Sequence, residues 1–234
     1  YRQAICKNKG VISMANVAFT RDEVILTLDV LYNSGEKITA NSKAIFDLSN
    51  TLNSLPIHAE SNMPANFRNP AGLYNQIMRF CSGYSEKSKT WNVGTLFFKV
   101  DKEFSGRHDE LHYVAEAIKR NQSYYEEAKF GNPAECDDFP EGALLGHLHR
   151  VIEQRDGAKL NASNRCEICQ LKPEQIYKSC GTLLKNHLLV QPTAMDAQQT
   201  YSVGNFITVC PCCHAVLHKR RPWVNRANME DILR

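Results

Sequence analysis

Four cysteines in two closely spaced pairs are the residues of this sequence whose types and spacing most clearly suit metal chemistry. Cys166 and Cys169 form one Cys-x-x-Cys pair, and Cys210 and Cys213 form a second pair further along the chain. A turn of this kind presents two thiolates to one ion at about 2.3 Å each, and two such turns complete the tetrahedral shell of Zn²⁺. The pairs therefore predict a structural zinc site, with redox thiols or coincidental spacing as the alternatives.

The total cysteine count favours metal binding over disulfide bonds. The chain has nine cysteines, which is an odd number. Disulfide frameworks prefer even counts in short secreted chains, whereas Cys-x-x-Cys pairs in a cytosolic chain more often bind metal. The five remaining cysteines are interpreted as buried or incidental thiols: Cys6, Cys81, Cys136, Cys180 and Cys212.

Histidine and asparagine side chains around the second cysteine pair suggest a second metal site. Asn186, His187 and Asn205 precede this pair, and His214 and His218 follow it. Residues four apart share one face of a helix, so the last two histidines can bind one ion together. A single histidine near a zinc site is more often a further zinc ligand or a packed residue. The hypothesis of a catalytic metal therefore depends on the whole set.

The stretch from about residue 143 to 220 resembles the HNH, or ββα-metal, endonuclease family. The matching segments are LLKNHLLV, which contains His187, and NFITVCPCCHAVLH, which begins at Asn205. With the two cysteine pairs, they resemble the McrA-like restriction endonucleases, the subgroup whose core is held by a four-cysteine zinc. The resemblance implies a zinc-stabilised ββα core that hydrolyses phosphodiester bonds.

The resemblance also assigns roles to individual residues. It implies that His187 is the general base and that Asn205 pins the hairpin and orients this base. It implies that Asn186, His214 and His218 bind a catalytic Mg²⁺ or another divalent cation. Family members usually have His or Asp immediately before the base, where this chain has Asn186. An amide oxygen can ligate a hard cation but brings no charge, so a weaker or inactive metal site is the alternative.

Hydrophobic periodicity predicts a mainly α-helical N-terminal half followed by two short strands and a helix. Combined with the resemblance, this implies an α+β fold, with a mainly α-helical N-terminal domain followed by a small zinc-stabilised ββα-metal (HNH) domain. The N-terminal domain is assigned to residues 1–130 and the nuclease domain to residues 143–234. Residues 131–142 are rich in glycine, proline and acidic residues and are predicted to be a linker. Helices are expected at about 20–35, 42–54, 70–83, 109–129, 143–154 and 213–218, and strands at 183–190 and 206–209. Residues 96–104 are compatible with a strand or a helical turn.

The N-terminal domain is expected to recognise DNA, because an HNH core has little sequence preference of its own. Cations can contact phosphates, amides and arginines can contact base edges, and aromatic side chains can stack on bases. The candidate DNA-binding residues are Arg68, Asn69, Arg79, Lys87, Lys89 and Trp91. The alternative is that the arginines are ordinary solvated charges and that the tryptophan belongs to the core.

Composition permits this function without demonstrating it. The net charge of +3 and the 23% content of charged residues are ordinary for a globular protein, so any DNA-binding surface must be local. No apolar run approaches the roughly 18–20 residues that span a bilayer, and we expect a cytoplasmic protein without a membrane partner. The sequence thus predicts a DNA endonuclease of restriction type, either modification-dependent or not, that acts on double-stranded DNA.

Two other functions stay open at this stage. The HNH chemistry could belong to a homing or phage-type nuclease, or the histidines could be structural in a non-catalytic zinc-containing DNA-binding protein. A homodimer is a further open point, because one HNH core cuts one strand and a double-strand break requires two cores.

Overall fold

The computed structural model describes residues 17–35, 37–58, 63–83, 95–127, 139–158, 164–177 and 183–233. Within these ranges the helices are α1 Arg21–Asn33, α2 Lys43–Ser54, α3 Pro70–Gly83, α4 Thr95–Glu103, α5 His108–Arg120, α6 Gln122–Glu127, α7 Ala143–Gly157, α8 Pro173–Ile176 and α9 Pro211–Lys219. The two strands are β1 Lys185–Leu188 and β2 Phe206–Val209. The α+β class is confirmed, and residues 96–104 belong to a helix.

Local sequence signals explain the first helices. Thr20 and Glu23 form the predicted capping box at the start of α1, and Gly35 follows the helix with a φ of +68°. Asn69 caps α3, because its side-chain oxygen accepts a 2.7 Å hydrogen bond from the Gly72 N–H. Pro70 then occupies the first helical position, where the missing N–H costs nothing.

The predicted helix at 109–129 is divided at Asn121, which ends α5. The Asn121 side chain donates to the carbonyls of Ala117 and Met195 and accepts from the Ala197 N–H. This buried amide therefore fastens α5 to the long connection between β1 and β2.

A single apolar core crosses the predicted domain boundary. Leu144, Leu148 and Ile152 of α7 are fully buried in the same cluster as the apolar faces of α1 and α5. Leu188 of β1 and Phe206 of β2 belong to this cluster as well. The prediction of a helical domain separated from the HNH domain by a linker is therefore wrong for the described residues, because α7 packs against both halves.

The described end of the predicted linker is packed. Phe139 and Glu141 are buried, and residues 131–138 lie outside the described ranges. Gly142 has a φ of +105°, and a Cβ at this position would approach the Asp22 carboxylate to 2.4 Å. The close passage of α1 and α7 therefore requires glycine here.

Asp22 of α1 caps the N-terminus of α7. Its buried carboxylate accepts hydrogen bonds from the N–H groups of Ala143 at 2.9 Å and Leu144 at 3.1 Å. The first N–H groups of a helix have no partner within the helix, and a carboxylate at this end satisfies them. α1 thus fixes α7, the helix that leads into the candidate metal-binding region.

We expect Asp22→Ala to lower the free energy of unfolding by about 2–4 kcal/mol, because two buried N–H groups lose their acceptor. Urea unfolding at neutral pH measures this change. Asp47→Ala is the control, since Asp47 forms an exposed pair with Lys43 and should contribute less than about 0.5 kcal/mol. Equal stability of the two variants would contradict the capping role.

The second half of the chain ends in a strand–strand–helix unit. β1 and β2 pair antiparallel, with Asn186 opposite Thr208 and His187 opposite Ile207. α9 follows β2 after Cys210, which is its N-cap. A second apolar cluster lies beneath this unit and contains Cys166, Ile168, Leu189, Ile207, Val209, Cys210, Cys213, Leu217 and Val224. This ββα order is the one expected from the sequence.

Among the described residues, none of the helices combines the length and the apolar character that a membrane crossing requires.

Candidate metal centre

The four cysteines of the two pairs come together as a cysteine cluster of Cys166, Cys169, Cys210 and Cys213. Their sulfur atoms all lie within 4.8 Å of one another, and the Cys169 and Cys210 Sγ atoms are 3.7 Å apart. Tetrahedral ligation at 2.3 Å per bond places sulfurs about 3.8 Å apart. The cluster therefore has the dimensions of a four-thiolate zinc site, and a metal such as zinc fits it.

The electrostatics of the cysteine cluster also favour a cation. Burial raises the pKa of the Cys213 thiol, and the neighbouring thiols raise it further. Burial opposes ionisation of Cys166 as well, but backbone N–H donors outweigh it and lower the pKa of this thiol. Four crowded thiols cannot all ionise unless positive charge is supplied, which a divalent ion does.

A histidine–glutamate cluster lies beside the cysteine cluster and consists of Glu153, His187, His214 and His218. One potential ligand atom from each residue lies within 4.8 Å of the other three. Glu153 comes from α7, His187 from β1, and the other two histidines from α9. Because Cys213 is in the first turn of α9, an ion in the cysteine cluster would hold the helix that carries His214 and His218.

The two oxygens of Glu153 face different partners. Oε1 accepts a 3.0 Å hydrogen bond from the Leu188 N–H and lies 3.1 Å from His187 Nδ1. Oε2 lies 3.6 Å from His214 Nε2. One carboxylate therefore connects the predicted base with the predicted metal-binding histidines.

Two histidine nitrogens in this region are buried without a hydrogen-bond partner among the described residues. They are Nδ1 of His187 and Nδ1 of His149 on α7. Each lies close to Glu153 Oε1, at 3.1 and 3.3 Å, but off the direction that a hydrogen bond needs, so these contacts are electrostatic. The Nε2 atoms of His214 and His218 face each other at 3.2 Å. These two Nε2 atoms and the Glu153 carboxylate converge as the ligands of a bound cation would.

His149 packs against the histidine–glutamate cluster. Its Nε2–H donates to the Leu188 carbonyl at 3.1 Å, and its ring lies 5.2 Å from the His187 ring and 5.1 Å from the His218 ring. Trp223 covers the same side, with its ring 6.2 Å from that of His187 and nearly parallel to it. The imidazole of His187 is thus enclosed, and its side chain is 1% exposed.

Burial sets the charges of the site. It lowers the pKa of His218 to about 3 and that of His149 to about 4, and the neighbouring histidines act in the same direction. It also lowers the pKa of His187, although Glu153 opposes this shift. For Glu153, burial opposes ionisation but the surrounding imidazoles outweigh it, and the pKa falls well below its usual value. Neutral imidazoles around one carboxylate suit a divalent cation.

The structure does not bring Asn186 into the histidine–glutamate cluster. Its amide donates to the Gly157 carbonyl at 2.7 Å and accepts from the Thr208 hydroxyl at 2.9 Å. Neighbouring residues of a strand point to opposite faces, so the Asn186 side chain leaves β1 on the face opposite to that of His187. The prediction that Asn186 binds the catalytic metal is wrong in this structure, and Glu153 supplies an oxygen ligand instead.

Asn205 lies in the connection between the strands and does not contact His187. Its side-chain oxygen accepts from the N–H and the hydroxyl of Ser202, and its carbonyl accepts from the Leu189 N–H at 2.8 Å. These bonds close the hairpin directly after β1. The predicted role of Asn205 in orienting His187 stays a prediction.

The predicted DNA-binding residues separate into three groups. Arg68 contacts the buried Glu23 at 2.7 Å, donates to two backbone carbonyls and packs on Phe19, so the prediction that it faces DNA is wrong. Asn69 caps α3, and Arg79 is exposed on the same helix. Lys87, Lys89 and Trp91 lie outside the described residues.

Sequence reasoning missed Glu153 and His149, which α7 contributes to the site. The residues form an i, i+4 pair in the sequence HRVIE, on one face of a helix that was predicted only as an apolar element. His149 is fully buried and the Glu153 side chain is 10% exposed. The spacing was the available signal, but such pairs are common on solvated helices.

Comparison with known proteins finds no family model, no curated protein and no solved structure that matches this chain.

Proposed function

We propose that this protein is a metal-dependent DNA endonuclease that hydrolyses phosphodiester bonds with an HNH-type ββα core. The observation that carries the proposal is the convergence of Glu153, His187, His214 and His218 beside a four-thiolate cluster. A purely structural zinc module needs only the cysteines. The second group of ligand atoms, in which imidazole nitrogens and a carboxylate oxygen converge, supports a second cation with a chemical role.

The atoms of the histidine–glutamate cluster have two different proposed roles, one in cation binding and one in proton transfer. His214 and His218, together with Oε2 of Glu153, would hold the divalent cation. When bound, this cation supplies positive charge that stabilises the phosphoryl oxygens and the leaving oxygen as negative charge develops. Two imidazoles and one carboxylate suit Mn²⁺, Co²⁺, Ni²⁺ or Zn²⁺ better than Mg²⁺, which prefers oxygen ligands and water.

His187 is the proposed general base. Oε1 of Glu153 lies beside its Nδ1, so a proton on Nδ1 is stabilised there and the lone pair remains on Nε2. Burial lowers the pKa of His187, which keeps the imidazole neutral and able to accept a proton from the attacking water. His149 and Trp223 enclose the ring and prevent it from turning away.

Glu153→Gln is expected to weaken binding of the second divalent cation by about tenfold or more, because the amide keeps the shape but removes the negative charge. Calorimetric titration of Mn²⁺ into the zinc-loaded protein measures this affinity. The zinc content of the variant should stay unchanged, since no cysteine is altered.

Glu116→Gln provides a matched control for this titration. Glu116 forms a second acidic group with Asp29 and His112, but Lys119 already supplies the positive charge there at 2.9 and 3.1 Å. Mn²⁺ affinity that depends on Glu116 and not on Glu153 would place the cation at the wrong cluster and contradict the proposal.

Plasmid DNA tests the proposal directly. Conversion of supercoiled plasmid to the nicked form should require an added divalent cation and should stop when a chelator removes it. Plasmids from methylating and non-methylating hosts, with mapped cut sites, then show whether cleavage follows a sequence or a modification.

A further inference from the structure

Exposed cations lie close in the chain to members of the histidine–glutamate cluster, on three different elements. Lys185 precedes His187 by two residues on β1, and strand residues two apart share a face. Arg150 lies three residues before Glu153 on α7, about one helical turn away. Lys219 and Arg220 directly follow His218 at the end of α9. These four residues are termed the rim cations below.

The rim cations carry charge that the protein itself does not neutralise. All four side chains are exposed, and among the described residues none of them has an ion-pair or hydrogen-bond partner for its charged group. β1, β2 and α9 contain no acidic residue.

Other arginines near the site are already engaged. Arg221 pairs with the buried Glu141 at 2.6 Å and packs on Trp223. Arg107, which lines the same cavity of about 580 Å³ as Arg221, pairs with Glu110 at 2.7 Å. Arg155 donates to the carbonyls of Ala197 and Gln199 and so holds the connection between the strands. These internal roles distinguish paired arginines from the rim cations.

We infer that the rim cations form the surface that binds the phosphate backbone of duplex DNA and delivers it to the histidine–glutamate cluster. This inference rests on the proposed function, which makes a phosphodiester the group to be placed there. Long, solvated cations on three elements can contact successive phosphates without reading bases. The DNA interface thus lies on the ββα side of the molecule and not at Arg68.

Salt dependence of binding tests the inference. A short fluorescein-labelled duplex DNA is titrated with the zinc-loaded protein at several salt concentrations, without an added divalent cation, so that no cleavage is needed. Each phosphate contact that is lost should reduce the slope of log affinity against log salt by about 0.9. The double variant Lys219→Gln with Arg220→Gln should therefore reduce the slope by about 2 and weaken binding about tenfold at low salt.

A charge-matched double variant controls for the change in net charge. Lys37 and Lys102 are exposed lysines on the connection after α1 and on α4, and their replacement by Gln also removes two charges. We expect this control to keep the slope of the unmodified protein. An unchanged slope in the Lys219/Arg220 variant, or equal losses in both variants, would overturn the inference.

Poly-glutamate of matched length separates DNA from other polyanions. If it competes with the duplex as strongly as unlabelled duplex does, the assignment to nucleic acid is overturned.

The inferred DNA surface and the proposed endonuclease function can be disproved independently of each other. Cleavage that proceeds normally in a rim variant with unchanged binding removes the inferred surface alone. Rim-dependent binding without cleavage under any cation removes the endonuclease alone.

Discussion

His187→Gln should lower the rate of DNA cleavage by a factor of about 10² to 10⁴ while the protein keeps its fold and its zinc. This is the range that a positioned general base contributes, and glutamine cannot accept the proton of the attacking water at neutral pH. Glutamine also nearly fills the volume of the imidazole, which matters because the side chain of His187 is 1% exposed. Plasmid nicking rates at saturating cation measure the effect.

His112→Gln is the control for this variant. His112 pairs with Asp29 between α5 and α1 and belongs to neither the cysteine cluster nor the histidine–glutamate cluster, so its replacement should leave the nicking rate unchanged. Zinc content and thermal unfolding of both variants show whether the fold persists. Full cleavage by a folded, zinc-loaded His187→Gln protein would remove His187 from the role of general base.

Loss of one cluster thiolate should unfold the ββα unit. Cys213→Ser removes a soft ligand from the first turn of α9, where the same ion would also join Cys166 and Cys169 to the hairpin. The second apolar cluster is small, so metal ligation must supply much of the free energy that holds this unit, and structural zinc sites contribute about 10–16 kcal/mol of apparent binding free energy. We expect the variant to lose zinc, and β1, β2 and α9 to exchange their amide hydrogens rapidly.

Cys212→Ser is the matched control for the zinc prediction. Cys212 lies between two cluster cysteines in the chain, but it is exposed and does not belong to the cluster. This variant should bind one zinc per chain and exchange hydrogens like the unmodified protein. If both serine variants behave alike, whether both lose zinc or both retain it, the assignment of the four ligands is contradicted.

The elements with local signals could be predicted from the sequence. The capping box at Thr20, the Asn69–Pro70 helix start and both strands of the hairpin lie where the pattern places them. Within each pair the two cysteines lie close together because a Cys-x-x-Cys turn is a local structure, and the four-ligand shell of zinc predicts that the two pairs meet. In the same way, His214 and His218 share a face because four residues make about one helical turn.

The contacts between distant segments could not be predicted in this way. Glu153 reaches the histidines only because α7 packs across the hairpin, and no spacing within α7 announces that packing. Arginine is a residue type that commonly contacts DNA, but Arg68 instead pairs with the buried Glu23 carboxylate, which requires a cation. Asn186 likewise uses its amide in contacts with Gly157 of α7 and Thr208 of β2, which no local pattern predicts.

The predicted domain boundary was wrong because it also depends on contacts between distant segments. A segment rich in glycine and proline predicts a linker by composition, yet Gly142 serves the close contact of Asp22 with α7. Because the core is shared, we expect the N-terminal helices and the ββα unit to unfold in one transition while the cysteine cluster holds its metal. The helices in front of the hairpin are thus part of the metal centre, because they contribute Glu153 and hold it in place.

The most direct test of the proposed endonuclease is plasmid cleavage by the zinc-loaded protein as divalent cations are added one at a time. We expect supercoiled plasmid to be nicked with Mn²⁺, Co²⁺ or Ni²⁺. Removal of the added cation should stop nicking while one zinc per chain remains bound. Absence of nicking with every divalent cation, by a protein that holds its zinc and binds duplex DNA, would contradict it and leave a zinc-containing DNA-binding protein.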